Sequence, residues 1–390
     1  MPYFEAPLIG TYAPPAVNFV KGKGCWLEDD TGKKYLDFLA GIAVVSVGHA
    51  NPEVNAAIMD QLERIGHVSN LFWTEPQALL AQKLQKITGY GKVFFANSGA
   101  EANECAVKLV RKWAHHNFGD NTEKTKILCA ENSFHGRTLG TLPATGQPAK
   151  WKGFAPLAQT NVHLPFNDLE AFDKAIDDNV AAIWVEPIQG EGGIVPGQVK
   201  FLKGLQNLCK ERNILFVLDE VQSGIGRTGK WWGFQNFDLK PDVFTSAKGL
   251  GNGMPIGACI ASDQVAEVFK PGDHGTTFGG GPVPCRAALA AIDYIEKNDL
   301  MAKAVAAEAR IRKAFEYKPG VTGVRGVGLM LGVMLSSEVA KKVEKACFEA
   351  GLIVNAVRPD VVRLTPPLIV SDSEIDQACE ILTRKIEEEI

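Results

Sequence analysis

Six short apolar runs constrain this chain more than any other feature: KVFFANS, KTKILCAE, AAIWVEPI, ILFVLDE, DVFTSA and PIGACIAS. They are apolar at consecutive positions, so neither face of the strand they predict is left for water. Helical segments such as VKFLKGLQNLCKERN separate some of them. Doubly buried strands alternating with helices predict an α/β layer, a mostly parallel sheet with helices on both sides. One of those helices, AEANECAVKLVRKWAHH, places Ala102, Cys105, Ala106, Leu109, Val110 and Trp113 on a single face.

The flanks read differently. The first fifty residues look like an extended arm followed by a short antiparallel element with a turn at Asp30-Thr31-Gly32. After about residue 276 a long helix (VPCRAALAAIDYIEKNDLMAKAVAAEARIRKAF) is expected. It is followed by GVRGVGLMLGVML, a helix in SEVAKKVEKACFEAG, a strand pair and a last helix from Ser373. Helices segregated against a small sheet suggest an α+β unit. At 390 residues two domains are expected: an arm over 1–50, a large domain over 51–275 and a small one over 276–390.

Composition narrows the class of function. With 41 basic and 45 acidic residues the net charge is −4, and no basic tract invites nucleic acid. No apolar run reaches membrane-spanning length, and the N-terminal MPYFEAPLIGTYAPP lacks the pattern of a secretion signal. Eight cysteines, none in a CxxC pair, fit small core residues of a cytoplasmic protein rather than disulfides. The seven histidines show no zinc spacing, so no metal is expected.

In open α/β sheets, ligands bind beyond the carboxyl ends of the strands. Five strand ends here carry usable chemistry. KVFFAN runs into Ser98-Gly99-Ala100 at the start of a helix, where free N–H groups suit a phosphate. KTKILCAE runs into Phe134, His135 and Arg137, a ring and a fork for a carboxylate. AAIWVEP brings Glu186, then Glu191, and a carboxylate after so apolar a run needs a partner or a function. ILFVL ends in Asp219, and DVFTSA in Lys248. An isolated Asp at a strand end commonly serves as a cap, and an isolated Lys as a solvated charge. Together they are the two groups that pyridoxal phosphate (PLP) requires of a protein: an amine to bond its aldehyde and an acid to face its ring nitrogen.

Ten motifs in order then resemble the class III (ornithine-type) aminotransferases of PLP fold type I. They are a GxYxPP-like arm, LAGIAVVSVGHANP, FFANSGAEANECAVKLVRK, ENSFHGRT, VEPIQGEGG, LDEVQSGIGRTG, TSAKGLGNGMPIG, HGTTFGGGP, RGVGLMLG and VRLTPPL. The resemblance implies a large domain with a mostly parallel, seven-stranded sheet and a smaller α+β domain. It implies PLP bonded to Lys248, Asp219 at the pyridinium, and Gln222 near the 3′-oxygen. Phe134 and Val221 would flank the ring, with His135 close by. Ser98, Gly99 and Ala100 would hold the phosphate, and Thr277 of a partner subunit would complete that cup in a homodimer. For substrate it implies Tyr12, Arg137, Glu191, Thr276 and Arg363, with Glu191 neutralising Arg363 in one half-reaction only. GIAVVSVGH, with Ile42 where ornithine enzymes typically carry tyrosine, is nearer the acetylornithine branch, whose partners are an N-acylated amino donor and 2-oxoglutarate. Enzymes acting on succinyldiaminopimelate, succinylornithine, acetyl-lysine, ornithine or 4-aminobutyrate share nearly every motif, and an aminomutase or racemase is a more distant alternative. Gly281 departs from the usual GGNP pattern.

Overall fold

The computed structural model describes residues 7–13 and 17–390. Pro14 and Pro15 of the arm motif lie outside the described residues. The chain begins with an antiparallel ribbon, β1 (Phe19–Lys23), β2 (Trp26–Asp29) and β3 (Lys34–Asp37). Its turn is tied by Asp29, whose carboxylate accepts from Thr31 N, Thr31 Oγ1 and Lys33 N.

The central part follows as α1 (Pro52–Arg64), α2 (Glu75–Thr88), β4 (Lys92–Ala96), α3 (Gly99–Phe118), β5 (Lys126–Ala130) and β6 (Asn161–Leu164). It continues with α4 (Leu169–Ala175), β7 (Val180–Val185), α5 (Val199–Arg212), β8 (Leu215–Asp219), β9 (Val243–Ser246) and β10 (Gly257–Ala261). Among the described residues these strands form one seven-stranded sheet, ordered β4-β10-β9-β8-β7-β5-β6. All ladders are parallel except the two made by β10. Because β10 is reversed against both neighbours, β4 still points the same way as β9, β8 and β7. The carboxyl ends of the parallel strands therefore share one edge with the start of β10. The sheet is dry on both faces: every residue of β7, β8, β9 and β10 is buried. Burial of each Val or Ile there contributes about 1.5–3 kcal/mol. The six α3 residues expected on one face are all buried.

The C-terminal part contains α6 (Pro282–Lys297), α7 (Leu300–Ala314), β11 (Val321–Val327), β12 (Met330–Leu335), α8 (Ala340–Glu349), β13 (Leu352–Ile353), β14 (Asn355–Arg358), β15 (Val361–Leu364) and α9 (Asp372–Glu389). Strands β11-β12-β15-β14 make an antiparallel sheet, whereas β13 joins the N-terminal ribbon in parallel with β3. The expected single long helix is in fact two, α6 and α7. Asp299 takes a left-handed backbone (φ 48°) and the Asn298 side chain donates to Tyr294 O at 2.9 Å. Short polar side chains tolerate that geometry and compete for backbone bonds, so the helix ends there. At the start of α6, Gly281 stands as N-cap with no side chain to bond the first turn.

Candidate active site

The shared strand edge opens into a cavity of about 400 Å³, lined by Ser98, Gly99, Ala100, Phe134, His135, Arg137, Glu191, Asp219, Val221, Gln222 and Lys248. Lys248 follows β9 by two residues and takes a left-handed backbone (φ 46°). For a non-glycine residue that conformation costs about 1–3 kcal/mol and marks a constrained position. Burial, and next the nearby Arg363 cation, push the Lys248 amine down to about 8, while Glu191, Asp219 and Glu186 pull the other way.

Asp219 is fixed on three sides. Its Oδ1 accepts from Val221 N at 3.0 Å. Its Oδ2 accepts from Asn103 Nδ2 at 2.8 Å and lies 2.9 Å from His135 Nδ1. The His135 ring stacks on Trp184 with centroids 4.2 Å apart. Glu186, at the end of β7, accepts from Phe134 N and Gly190 N, both at 3.0 Å, and so ties the loop after β5 to its own. Burial pushes the Glu186 carboxyl up to about 7, and Asp219 adds to the rise.

Arg363 projects from β15 and is 1 % exposed. Its Nη1 donates to Glu191 Oε1, and to Gln222 Oε1 at 3.4 Å. Its Nη2 donates to Asn355 Oδ1 at 2.7 Å. Burial tends to raise the Glu191 carboxyl, but Arg363, Lys248 and Lys150 outweigh it and hold the group below the usual range. The Arg137 guanidinium lies 5.7 Å from the centre of the Phe134 ring. Among the described residues no carboxylate pairs with Arg137.

Of the residues expected on this chain, Tyr12 and Thr276 do not line the cavity, Arg363 reaches it through Glu191 and Gln222, and Thr277 is expected from a partner subunit. Tyr12 is 89 % exposed and does not line this chain's cavity. Thr276 uses its hydroxyl to close its own turn, accepting from Gly279 N at 3.1 Å and from Asn97 Nδ2 at 3.4 Å. Thr277 is exposed on the outer surface of that turn. Conversely, Asn103 and Val44 line the cavity. Asn103 was readable only as a polar residue within the apolar stripe of α3.

The lining fits a phosphorylated pyridine ring. The first-turn N–H groups of α3 at Gly99 and Ala100 have no acceptor within the helix. A Cβ on Gly99 would sit 2.8 Å from Val221 Cγ1, so only glycine leaves both the helix start and Val221 in place. A Cβ on Gly257, the first residue of β10, would meet Ser98 O at 2.2 Å. Lysine, buried aspartate, ring and anion cradle thus converge on one cavity.

Comparison with known proteins gives a consistent picture. The family model "Aminotransferase class-III" matches residues 10–386. The acetylornithine aminotransferase of Gloeobacter violaceus is 47 % identical over 384 residues, covering 97 % of this chain and 95 % of the relative. A structure of the Toxoplasma gondii ornithine aminotransferase with PLP at partial occupancy superposes with a TM-score of 0.93. It is 32 % identical, with 98 % of this chain and 92 % of that one covered. The N-acetylornithine aminotransferase of Stenotrophomonas maltophilia K279a superposes with a TM-score of 0.85. It is 34 % identical, with 97 % of each chain covered.

Proposed function

The chain belongs to the class III aminotransferases, and on that premise we propose that it moves the amino group of N2-acetylornithine to 2-oxoglutarate, with PLP as cofactor. The products are N-acetylglutamate 5-semialdehyde and glutamate, a step of arginine biosynthesis. When bound, PLP supplies an aldehyde that takes the amino group and a ring that takes up negative charge.

The protein's part follows from its side chains. Lys248 is the cofactor's covalent anchor and, as a neutral amine, the base that holds and returns the proton of the substrate carbon. Its depressed affinity for protons, to about 8, keeps part of it neutral near physiological pH. Asp219 would face the ring nitrogen of a bound PLP, Gln222 its ring oxygen, and Phe134 and Val221 its two faces. The amides of Gly99 and Ala100, with Ser98, hold the phosphate.

The choice of N2-acetylornithine rests on the 47 % identical relative, and one observation supports an ω-amine donor paired with a 2-oxo acid: Arg363 is buried, while its partner Glu191 has a side chain 31 % exposed. 2-Oxoglutarate has a carboxylate beside its reacting carbon, whereas acetylornithine has none at its reacting end. A fixed buried cation left unpaired is costly. Glu191 answers by pairing with Arg363 for one substrate and yielding to a carboxylate for the other. Arg137 holds the distal carboxylate in both halves. The test is kcat/KM for a panel of amines with 2-oxoglutarate. N2-acetylornithine should lead, and a higher value for ornithine or 4-aminobutyrate would overturn the assignment.

The proposal includes a cytoplasmic homodimer with the site at its interface. The turn bearing Thr276 and Thr277 is bonded by Asn70 Nδ2 to Thr276 O and Gly279 O, both at 2.9 Å. Leu71, Phe72, Trp73 and Phe278 are large, apolar and exposed. A surface of that kind beside a binding site marks an interface. Eight buried free cysteines suit a reducing compartment. Sedimentation of active protein tests the assembly, and a fully active monomer would refute it.

A further inference from the structure

Behind Asp219 lies a polar pair where a helix face meets a sheet. Asn103 of α3 and Thr245 of β9 are 1 % and 0 % exposed. Thr245 stands directly opposite Asp219 in the β8–β9 register. Asn103 Nδ2 lies 2.7 Å from His135 O and 2.8 Å from Asp219 Oδ2. A peptide carbonyl only accepts, so the amide nitrogen must face it, and the orientation of the Asn103 side chain follows from the network. Its Oδ1 then faces Thr245 Oγ1 at 2.6 Å, and that hydroxyl must donate.

The same logic assigns the proton on His135. Its Nδ1 faces Asp219 Oδ2 at 2.9 Å, whereas its buried Nε2 has no partner among the described residues. A proton on Nε2 would be buried without an acceptor, so the network places the ring's proton on Nδ1. Asp219 is thus held by an amide, an imidazole N–H and the backbone N–H of Val221. All three donors are uncharged in this arrangement. None cancels the negative charge of the carboxylate.

We propose that Asn103 is a positioning residue for this reaction: oriented by Thr245, its neutral amide locks Asp219 in place and leaves the carboxylate's charge for the ring nitrogen of PLP. The proposal rests on the PLP reading above. Without the amide, Oδ2 keeps only the His135 donor and Oδ1 only Val221 N, so the carboxylate is held by two bonds instead of three and its plane is less sharply fixed. Asn103 need not touch substrate, so its effect belongs in cofactor retention and kcat rather than in KM.

The experiment compares the wild-type holoenzyme with Asn103→Leu and Thr245→Val. It measures PLP dissociation by dialysis, the pH dependence of the bound cofactor's visible absorbance, and kcat and KM. Loss of a hydrogen bond to a charged group predicts about tenfold or greater weakening of PLP binding in Asn103→Leu, with kcat falling about 10- to 100-fold. The absorbance profile should shift with pH, and donor KM should stay within about threefold. Thr245→Val should move the same readouts in the same direction by less. Unchanged PLP affinity and an unchanged absorbance profile in Asn103→Leu would overturn the proposal. Should that variant fail to fold by circular dichroism, Thr245→Val decides alone, and wild-type affinity and absorbance there would overturn it. Wild-type protein that binds no PLP would instead overturn the reading on which the proposal stands.

Discussion

Replacing Glu191 with alanine should pull the two half-reactions apart. Arg363 is almost fully buried, and Glu191 is its only carboxylate partner among the described residues. The neutral acceptors Asn355 and Gln222 remain in the variant. A hydrogen bond to a charged group is worth about 1.5–3 kcal/mol, or roughly 10- to 150-fold. That loss applies when the bound substrate brings no carboxylate to Arg363 and expels the water that would otherwise solvate it. The acetylornithine half-reaction should therefore lose about 10- to 150-fold in kcat/KM. The 2-oxoglutarate half supplies its own carboxylate and no longer displaces a competitor, so it should hold or gain. Stopped-flow absorbance of the bound cofactor measures each half with one substrate at a time. Glu191→Gln, which keeps an acceptor but no charge, should fall between. Equal losses in the two halves would refute the exchange.

Other predictions come from groups buried around the site. Burial, then Arg363, brings Lys248 down to about 8, and only the neutral amine attacks an aldehyde. The rate at which PLP loads into the apoprotein should climb with pH with a midpoint near 8 and level off above it, and a midpoint near an ordinary lysine's would contradict this. Arg227 is a fully buried cation that donates to Leu329 O and Pro366 O, has no carboxylate partner among the described residues, and is lowered by burial to about 9. Arg227→Leu strands two carbonyls but relieves that burial, so denaturant unfolding should show a net loss of about 2 kcal/mol; no loss would be a refutation. Glu220 accepts from Ser223 Oγ, Gly233 N and Phe234 N, so the amide of Glu220→Gln would face donors with a donor. Stability should drop by about 1–3 kcal/mol, read from the thermal midpoint.

The local chemistry of this chain could be read from its sequence because strands buried on both faces announce themselves and their ends define the ligand edge. Val180–Val185 and Leu215–Asp219 are runs of that kind, and the helix after Ser98 carries its apolar stripe openly. What stayed hidden depends on contacts between distant segments. Asn103 meets Asp219 across 116 positions of chain, and Arg227 meets Pro366 across 139. Thr276 offers a hydroxyl in the sequence, and the sequence did not reveal that its oxygen accepts from Gly279 N in a turn. The break between α6 and α7 was obscured for a different reason. The helical periodicity continues through Asp299, and only its backbone angle ends the helix.

The charges gathered at the strand edge explain why one cavity can serve two unlike substrates. Near neutral pH Glu186, raised to about 7, carries only part of a charge and is occupied with two backbone amides. Asp219 is engaged by Asn103, His135 and Val221 and makes no ion pair with either arginine among the described residues. That leaves Glu191 as the variable. While it pairs with Arg363, Arg137 on the cavity wall has no carboxylate partner among the described residues, which matches a substrate with a single free carboxylate. Once it yields, Arg363 is a second cation open to a carboxylate, which matches a dicarboxylate. A rigid counter-charge would hold the site in the first state, and an apolar residue in its place would leave Arg363 buried and unpaired for the first substrate. Affinity for both substrates therefore requires a carboxylate side chain able to turn away from Arg363, and the Glu191 side chain, 31 % exposed, has solvent beside it to turn into.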